Sequence, residues 1–325
     1  MNTQYEGRAL PRPDEEVVDQ GLGFDIGTLL SRRKMLTLFG IGAAGLGLAA
    51  CSSGATASTG DTTTTANMVT QPSTSAAATA TAGTASAAGT VSDLTEIPDE
   101  TAGPYPGDGS NGPDVLTESG IVRSDLRSSF GSASGVAEGV PMTLTLSIKD
   151  LAQGGVPFAG VAVYVWHCDR DGNYSMYSQG ITGENYLRGV QVADSAGQVT
   201  FTSIFPACYS GRWPHIHFEV YPSEADITDA SNAIATSQVA LPKDACDKVY
   251  ATSGYQQSVT NLSQVSLTSD NVFGNDAGVH QLGTVTGDVT GGMQVALTVG
   301  VDTTTAPTGG GTPGGNGGPG STGGS

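Results

Sequence analysis

Two of the chain's four histidines stand one residue apart in Arg212-Trp213-Pro214-His215-Ile216-His217-Phe218. Alternate side chains of an extended strand share a face, so both imidazoles project the same way, about 6 to 7 Å apart. Two nitrogens so placed can share one metal ion. The intervening Ile216, with Phe218 and Val220, then faces the opposite way into a core, which fixes the strand's orientation and the direction of both rings. A His-x-His pair is also a common structural feature, so its meaning depends on its surroundings. Tyr209 stands six residues before His215, and Gly172-Asn173-Tyr174-Ser175 forms a polar turn after a strand ending near Trp166. His167 and His280 lack a partner motif and read as ordinary polar residues, and Trp166 and Trp213 read as packing residues.

The elements that must hold these groups read as strands. Met142, Leu144, Leu146 and Ile148 share one face of a segment, and Val161, Val163 and Val165 share one face of another. Val199 and Phe201, then Ile216, Phe218 and Val220, then Met293, Val295, Leu297 and Val299 repeat the period of two, with turn signals such as Asp171-Gly172 and Ala196-Gly197 between them. Short helical turns are expected only near residues 223–235 and 241–250. The pattern predicts an all-β fold, an antiparallel β-sandwich with long loops and few short helical turns.

Composition limits that domain to residues 93–302. Of 325 residues 47 are Gly, and the stretches 52–92 and 303–325 are too rich in Ser, Thr, Ala, Gly and Pro to bury a core. They read as a disordered linker and a disordered tail. The roughly 210 residues between them suffice for one β domain. A net charge of -18 disfavours binding to nucleic acid phosphates, and an anionic substrate would need locally placed cations.

Residues 1–51 read as an export signal. Ser31-Arg32-Arg33-Lys34 precedes an apolar run, Leu36 to Ala50, too short to span a bilayer comfortably. The paired arginines suggest the twin-arginine route. Leu48-Ala49-Ala50-Cys51 resembles a bacterial lipobox, which would make Cys51 a lipidated residue. A two-chain anchor there would hold the protein on the outer face of the cytoplasmic membrane. Cys168, Cys208 and Cys246 remain for the exported domain, where a disulfide is expected. Cys168 with Cys208 is one pairing; Cys246 with either of them is the other.

Several motifs in order resemble the intradiol ring-cleavage dioxygenases: Glu100-Thr101-Ala102-Gly103-Pro104-Tyr105, Val165-Trp166-His167 running into Gly172-Asn173-Tyr174-Ser175, Leu187-Arg188, Pro206 to Tyr209, and Arg212 to Phe218. The resemblance spans residues 97–242. It implies Tyr174, Tyr209, His215 and His217 as ligands of ferric iron, Fe(III), with Arg212 and Gln238 beside the substrate and Pro104 and Tyr105 lining its pocket. Arg188 could equally be a structural ion-pair residue. A two-phenolate set suits a trivalent cation, beside which a tyrosine loses its proton; zinc is more often held by His, Cys and carboxylate. The implied reaction joins O2 to a catechol chelated through both oxygens. Tyr209, displaced by the substrate, accepts a substrate proton, and the ring opens between the hydroxylated carbons to a cis,cis-muconate-type diacid.

Two readings compete with this one. A noncatalytic metal- or ligand-binding β-sandwich lipoprotein leaves both tyrosines and Arg212 unexplained. An extradiol enzyme would need two histidines and a carboxylate, for which Glu219, two residues after His217 on the same face, is the candidate. Trp213-Pro214 departs from the family's commoner Pro-Ala order, and nothing in the chain supplies the helical dimerising domain of many members, which leaves oligomeric state open.

Overall fold

The structure is a computed structural model that describes residues 94–310 and, apart from them, a two-residue ladder pairing Gln4–Tyr5 with Arg8–Ala9. The paired arginines, the apolar run, Cys51, the stretch to residue 92 and residues 311–325 lie outside the described residues. The domain's strands are β1 (Pro141–Asp150), β2 (Val156–Pro157), β3 (Ala162–Trp166), β4 (Arg188–Val192), β5 (Gln198–Ile204), β6 (His215–Tyr221) and β7 (Ala235–Ala240), followed by β8 (Thr284–Asp288) and β9 (Gly292–Val301). Two helices, α1 (Lys243–Tyr250) and α2 (Gln256–Leu262), lie between β7 and β8.

One sheet runs β8-β9-β1-β2, with β5 also paired to β1, and the other runs β4-β3-β6-β7. The expected sandwich is present, with one departure from antiparallel pairing: β9 lies parallel to β1 from Met293 opposite Met142 to Val301 opposite Asp150. A parallel pair needs a long crossover, and here nearly the whole domain intervenes between its two strands.

The period-two patterns explain which faces meet. Met142, Leu144, Leu146 and Ile148 of β1 and Val199 and Phe201 of β5 pack in one buried cluster with Val163 and Val165 of β3 and with Ile216, Phe218 and Val220 of β6. β1 alternates between buried and half-buried residues because its other face is only partly covered. β3 and β6 are buried along their whole length. Their outer face carries Ala162, Tyr164, Trp166 and Tyr221, packed beneath a second cluster of loop residues that includes Ala102, Val115, Ile121 and Tyr174. His215, His217 and Glu219 alternate with the core residues of β6 and so enter this covered space, out of bulk water.

α1 presents Ala245, Cys246, Val249 and Tyr250 to the core, at helical spacing, and two exposed Lys–Asp pairs four apart on its outer face. α2 was not expected. It buries only Ser258 and Leu262, and Gln256-Gln257-Ser258-Val259-Thr260-Asn261-Leu262 shows no apolar stripe to announce it. At the other end, the domain's contacts pass the boundary expected at residue 302. The Thr308 amide donates to Asp99 Oδ2 and the Gly310 amide to the Glu100 carbonyl.

The anticipated disulfide is absent. Cys168, Cys208 and Cys246 are free and buried. Each thiol lies against a backbone carbonyl: Cys168 on Ala207, Cys208 on Arg212 and Cys246 on Leu241. The side chains are thus occupied as small buried groups, which is how free cysteine commonly packs.

Candidate metal centre

Four donor atoms from three segments converge on the outer face of β6. His215 Nε2 lies 3.1 Å from His217 Nε2, 3.2 Å from the Tyr209 hydroxyl and 3.5 Å from the Tyr174 hydroxyl. The two imidazoles come from one strand, as the His-x-His spacing requires. Each tyrosine is delivered by a loop with its own bracing.

Tyr174 follows a tight turn organised by Asp169. Its carboxylate Oδ1 accepts hydrogen bonds from the amides of Asp171 and Asn173, both at 2.9 Å. Gly172 within the turn has φ +89°, and a Cβ there would sit 3.1 Å from Tyr209 Cβ, so glycine lets the two tyrosine loops approach. Ser178 Oγ then accepts from the Tyr174 amide at 2.9 Å. Tyr209 is held from the far side by α2. Ser258 Oγ accepts from the Cys208 amide at 3.0 Å, and Asn261 Nδ2 donates to the Cys208 carbonyl at 2.8 Å.

The protonation chemistry suits a cation. The Trp213 carbonyl can only accept, so its 2.5 Å contact with His215 Nδ1 puts the proton on Nδ1 and leaves Nε2 with a lone pair toward the other donors. Burial, reinforced by nearby Arg212, drives the pKa of His215 well down; burial and the neighbouring His215 do the same for His217. Both rings are therefore neutral at neutral pH, the form in which imidazole can bind a metal. Burial pushes the Tyr174 phenol up and Tyr209 up to about 12, with Arg212 opposing the shift at Tyr209. Both phenols keep their protons unless a metal charge supplies what desolvation removes.

Ligand bonds of about 2.0–2.2 Å put adjacent donors roughly 3 to 3.5 Å apart, the spacing found here. Among the described residues no cluster of three or more His, Cys, Asp or Glu is placed to hold an ion; the donors that converge here are two imidazoles and two phenols. Glu219 does not join the four donors. Its Oε2 accepts from the Tyr221 hydroxyl at 2.7 Å, in a buried group with Asp108 whose desolvation raises the carboxyl to about 8.

The other expected site residues surround the donors. Tyr105 lies with its ring centroid 5.0 Å from that of Tyr174, and Pro104 is buried beside it. Arg212 Nη1 comes within 3.4 Å of His215 Nε2, and its Nη2 donates to Gln238 Oε1 at 2.7 Å. Gln238, the least certain of the matches by its sequence context, is the residue directly opposite His217 in the β6–β7 ladder. Trp166 packs as expected, stacked on the His217 ring at 4.8 Å and 6°. His167 bridges Ser203 and the Cys168 carbonyl in the interior, and His280 lies at the surface near Thr95.

Among the described residues Arg188 forms no ion pair; it donates to backbone carbonyls and a serine hydroxyl instead. Its Nη1 donates to the Pro106 carbonyl at 2.7 Å, its Nη2 to the carbonyls of Tyr105 and Ser175, both at 2.9 Å, and its Nε to Ser175 Oγ at 3.1 Å. It thereby fastens the 103–107 segment over the site to the turn bearing Tyr174. Gly103 entered the sequence reading only as part of a motif, with no role of its own, and Asp270 escaped it altogether. Gly103 has φ +75° and backs onto His217, and Asp270 accepts from Arg212 Nε at 2.9 Å while both side chains are buried. Asp270 lies 58 residues from its partner, beyond the reach of any local motif.

Residues 112–217 match a family model described as Dioxygenase, a segment holding both tyrosines, both histidines and Arg212. The chain is 38% identical to the chlorocatechol 1,2-dioxygenase of Rhodococcus opacus over 68 residues, 21% of this chain and 26% of that protein. It is 35% identical to the catechol 1,2-dioxygenase of Pseudomonas sp. (strain EST1001) over 72 residues, 22% of this chain and 23% of that one. The matches thus span about a quarter of these curated relatives. An intradiol ring-cleavage dioxygenase from Tetranychus urticae superposes with a TM-score of 0.51 at 22% identity, covering 66% of this chain and 98% of the other, a likeness of fold. The segment that carries the four converging donors thus matches a dioxygenase family model, and parts of the chain are similar to catechol and chlorocatechol 1,2-dioxygenases.

Proposed function

We propose that the protein is a non-haem Fe(III) intradiol dioxygenase, which inserts both atoms of O2 into a catechol-type aromatic and opens the ring between the hydroxylated carbons to a cis,cis-muconate-type diacid. The observation that carries this reading is the convergence of two phenols and a second neutral imidazole within 3.1 to 3.5 Å of His215 Nε2. Tyr174, Tyr209, His215 and His217 would hold the iron. When bound, ferric iron would supply the Lewis acidity that gathers both catechol oxygens and makes the ring reactive toward O2.

The chain's own residues then have separable tasks. Tyr209 is half-buried where Tyr174 is buried, so it is the phenol we assign to swing aside and take a substrate proton. Arg212 places a permanent cation against the donors, where it can stabilise negative charge on the ring during reaction. Gln238 holds one end of that guanidinium. Trp166 and the 103–107 segment wall the site from water. Glu219 is turned to Tyr221 and Asp108, which argues against an extradiol triad.

The test is product analysis with isotopic oxygen. Ferric-reconstituted protein should consume one O2 per catechol and yield a diacid carrying both labelled atoms, and Tyr209→Phe should lower kcat at least about 10²-fold. A semialdehyde product, or a Tyr209→Phe variant as fast as wild type, would overturn the assignment. The sequence supports export by the twin-arginine route and anchorage through a lipid on Cys51. Labelling with a palmitate analogue, abolished by Cys51→Ala, checks that part of the proposal.

A further inference from the structure

Asp270 reaches the site from the loop between α2 and β8, outside the segment matched by the family model. Its Oδ2 accepts from Arg212 Nε at 2.9 Å and from the Trp213 amide at 2.7 Å. Its Oδ1 accepts from the amides of Val272 at 2.8 Å and Phe273 at 3.0 Å. The carboxylate is thus rigidly seated in its own turn before it meets Arg212, and both side chains lie out of water.

A guanidinium is a planar fork, so fixing two of its nitrogens fixes the third. Asp270 holds Nε; Gln238 Oε1 holds Nη2 at 2.7 Å, and Gln238 is itself anchored by donation from Nε2 to the Thr101 carbonyl at 3.0 Å. Nη1 is the nitrogen left facing the four donors, 3.4 Å from His215 Nε2. Phe273, placed by the same turn, lies beneath the guanidinium with its ring centroid 5.9 Å from Arg212 Cζ. Without the carboxylate the buried cation would have no anion among these contacts, and desolvation would draw it toward water and off the site.

We infer that Asp270 is the positioning residue of Arg212, which it clamps by Nε so that Nη1 is presented to the reaction site. The inference rests on the proposed function for what Arg212 then does. Asp270 touches neither the metal ligands nor, by this account, the substrate; it acts through Arg212.

A double-mutant cycle separates this from a purely structural role in the 270–273 turn. Asp270→Asn should lower kcat/KM for catechol about 10- to 100-fold, the range expected for a partner that orients an active group. The same change in an Arg212→Ala background should cost less than about twofold. Equal losses in both backgrounds, or no loss in the first, would overturn the clamp. Arg212→Lys keeps the charge and the turn but lacks Nε, so it should reproduce the Asp270→Asn loss even if that variant folds poorly; wild-type kinetics for Arg212→Lys would also overturn it.

Two measurements stand apart from turnover. The tyrosinate-to-iron absorption of Asp270→Asn should match wild type, while anaerobic titration with catechol should show weaker binding. In metal-free protein the Arg212 Nε proton, identified by its loss in Arg212→Ala, should exchange slowly in wild type and quickly in Asp270→Asn. Fast exchange in both would refute the clamp whatever the activity. A wild-type protein with a slow Nε proton but no catechol cleavage would instead refute the functional reading and leave the clamp standing.

Discussion

Gly103 shows how tightly the donors are packed. With φ +75° and a built Cβ only 3.2 Å from His217 Cε1, alanine there must both accept a left-handed backbone and push the ligand ring. Gly103→Ala should cost about 1 to 2 kcal/mol of stability. It should also lower the iron bound per chain, checked by thermal melts and metal analysis; unchanged iron content would mean that the 103–107 segment does not constrain His217. At this scale the site was legible where its chemistry is local. His215 and His217 announce themselves by spacing, and both tyrosines and Arg212 stand in short motifs. Gln238, in a less distinctive context, is confirmed as a neighbour by strand register. Gly103's closeness to His217 and Asp270's grip on Arg212 are contacts between distant segments, which no local pattern encodes.

Arg188 acts at the scale of elements. It stands at the start of β4 and ties the segment carrying Tyr105 and Pro106 to the turn carrying Tyr174 and Ser175. Removing it takes a guanidinium donor from the carbonyls of Tyr105 and Ser175, each such loss worth about 1 to 3 kcal/mol, while the Pro106 carbonyl keeps the Tyr164 hydroxyl. Arg188→Met should therefore destabilise the domain by about 3 kcal/mol or more in urea unfolding. Arg188→Lys should recover only part of that, because a single ammonium cannot span the same carbonyls. Full recovery by lysine would show that charge, not the fork, matters.

Phe218 gives the matching test of the core between the sheets. It is fully buried there, and Phe218→Ala should cost about 3 to 5 kcal/mol. The strands were readable because their alternation is set by one buried face each. α2 was not, since it is held by polar contacts to the Tyr209 loop and carries little apolar periodicity. The parallel β1–β9 pair was hidden for a related reason: period two shows which residues face inward but not which strand lies alongside or in which direction.

Across the whole molecule, charge and closure meet at Glu100. Its backbone joins β7 through Thr236 and the C-terminal strap through Gly310, and its side chain accepts from Gln281 Nε2 at 3.4 Å. Burial raises its pKa from 4.5 to about 7; Gln281 and Arg212 pull it down while Asp276 and Asp270 push it up. A carboxyl whose folded pKa is raised is stabilised as the neutral acid. The associated stability is complete below about pH 4.5, is lost as pH rises through about 7, and is flat above. Glu100→Gln should abolish that slope, so its Tm advantage over wild type should grow between about pH 5 and about pH 7. An advantage independent of pH would show that Glu100 does not titrate in this window. The sandwich and its burial pattern follow from the alternation of apolar residues, whereas the sealing of the outer face by loops arises from long-range polar contacts such as these.

The central claim is that two tyrosines and two histidines of this chain hold ferric iron, and visible spectroscopy tests it most directly. Protein reconstituted with Fe(III) should be coloured by a broad tyrosinate-to-iron absorption, diminished in Tyr174→Phe and in Tyr209→Phe, and shifted when catechol is added without oxygen. A colourless protein that binds no ferric iron, or a band untouched by loss of either tyrosine, would contradict it.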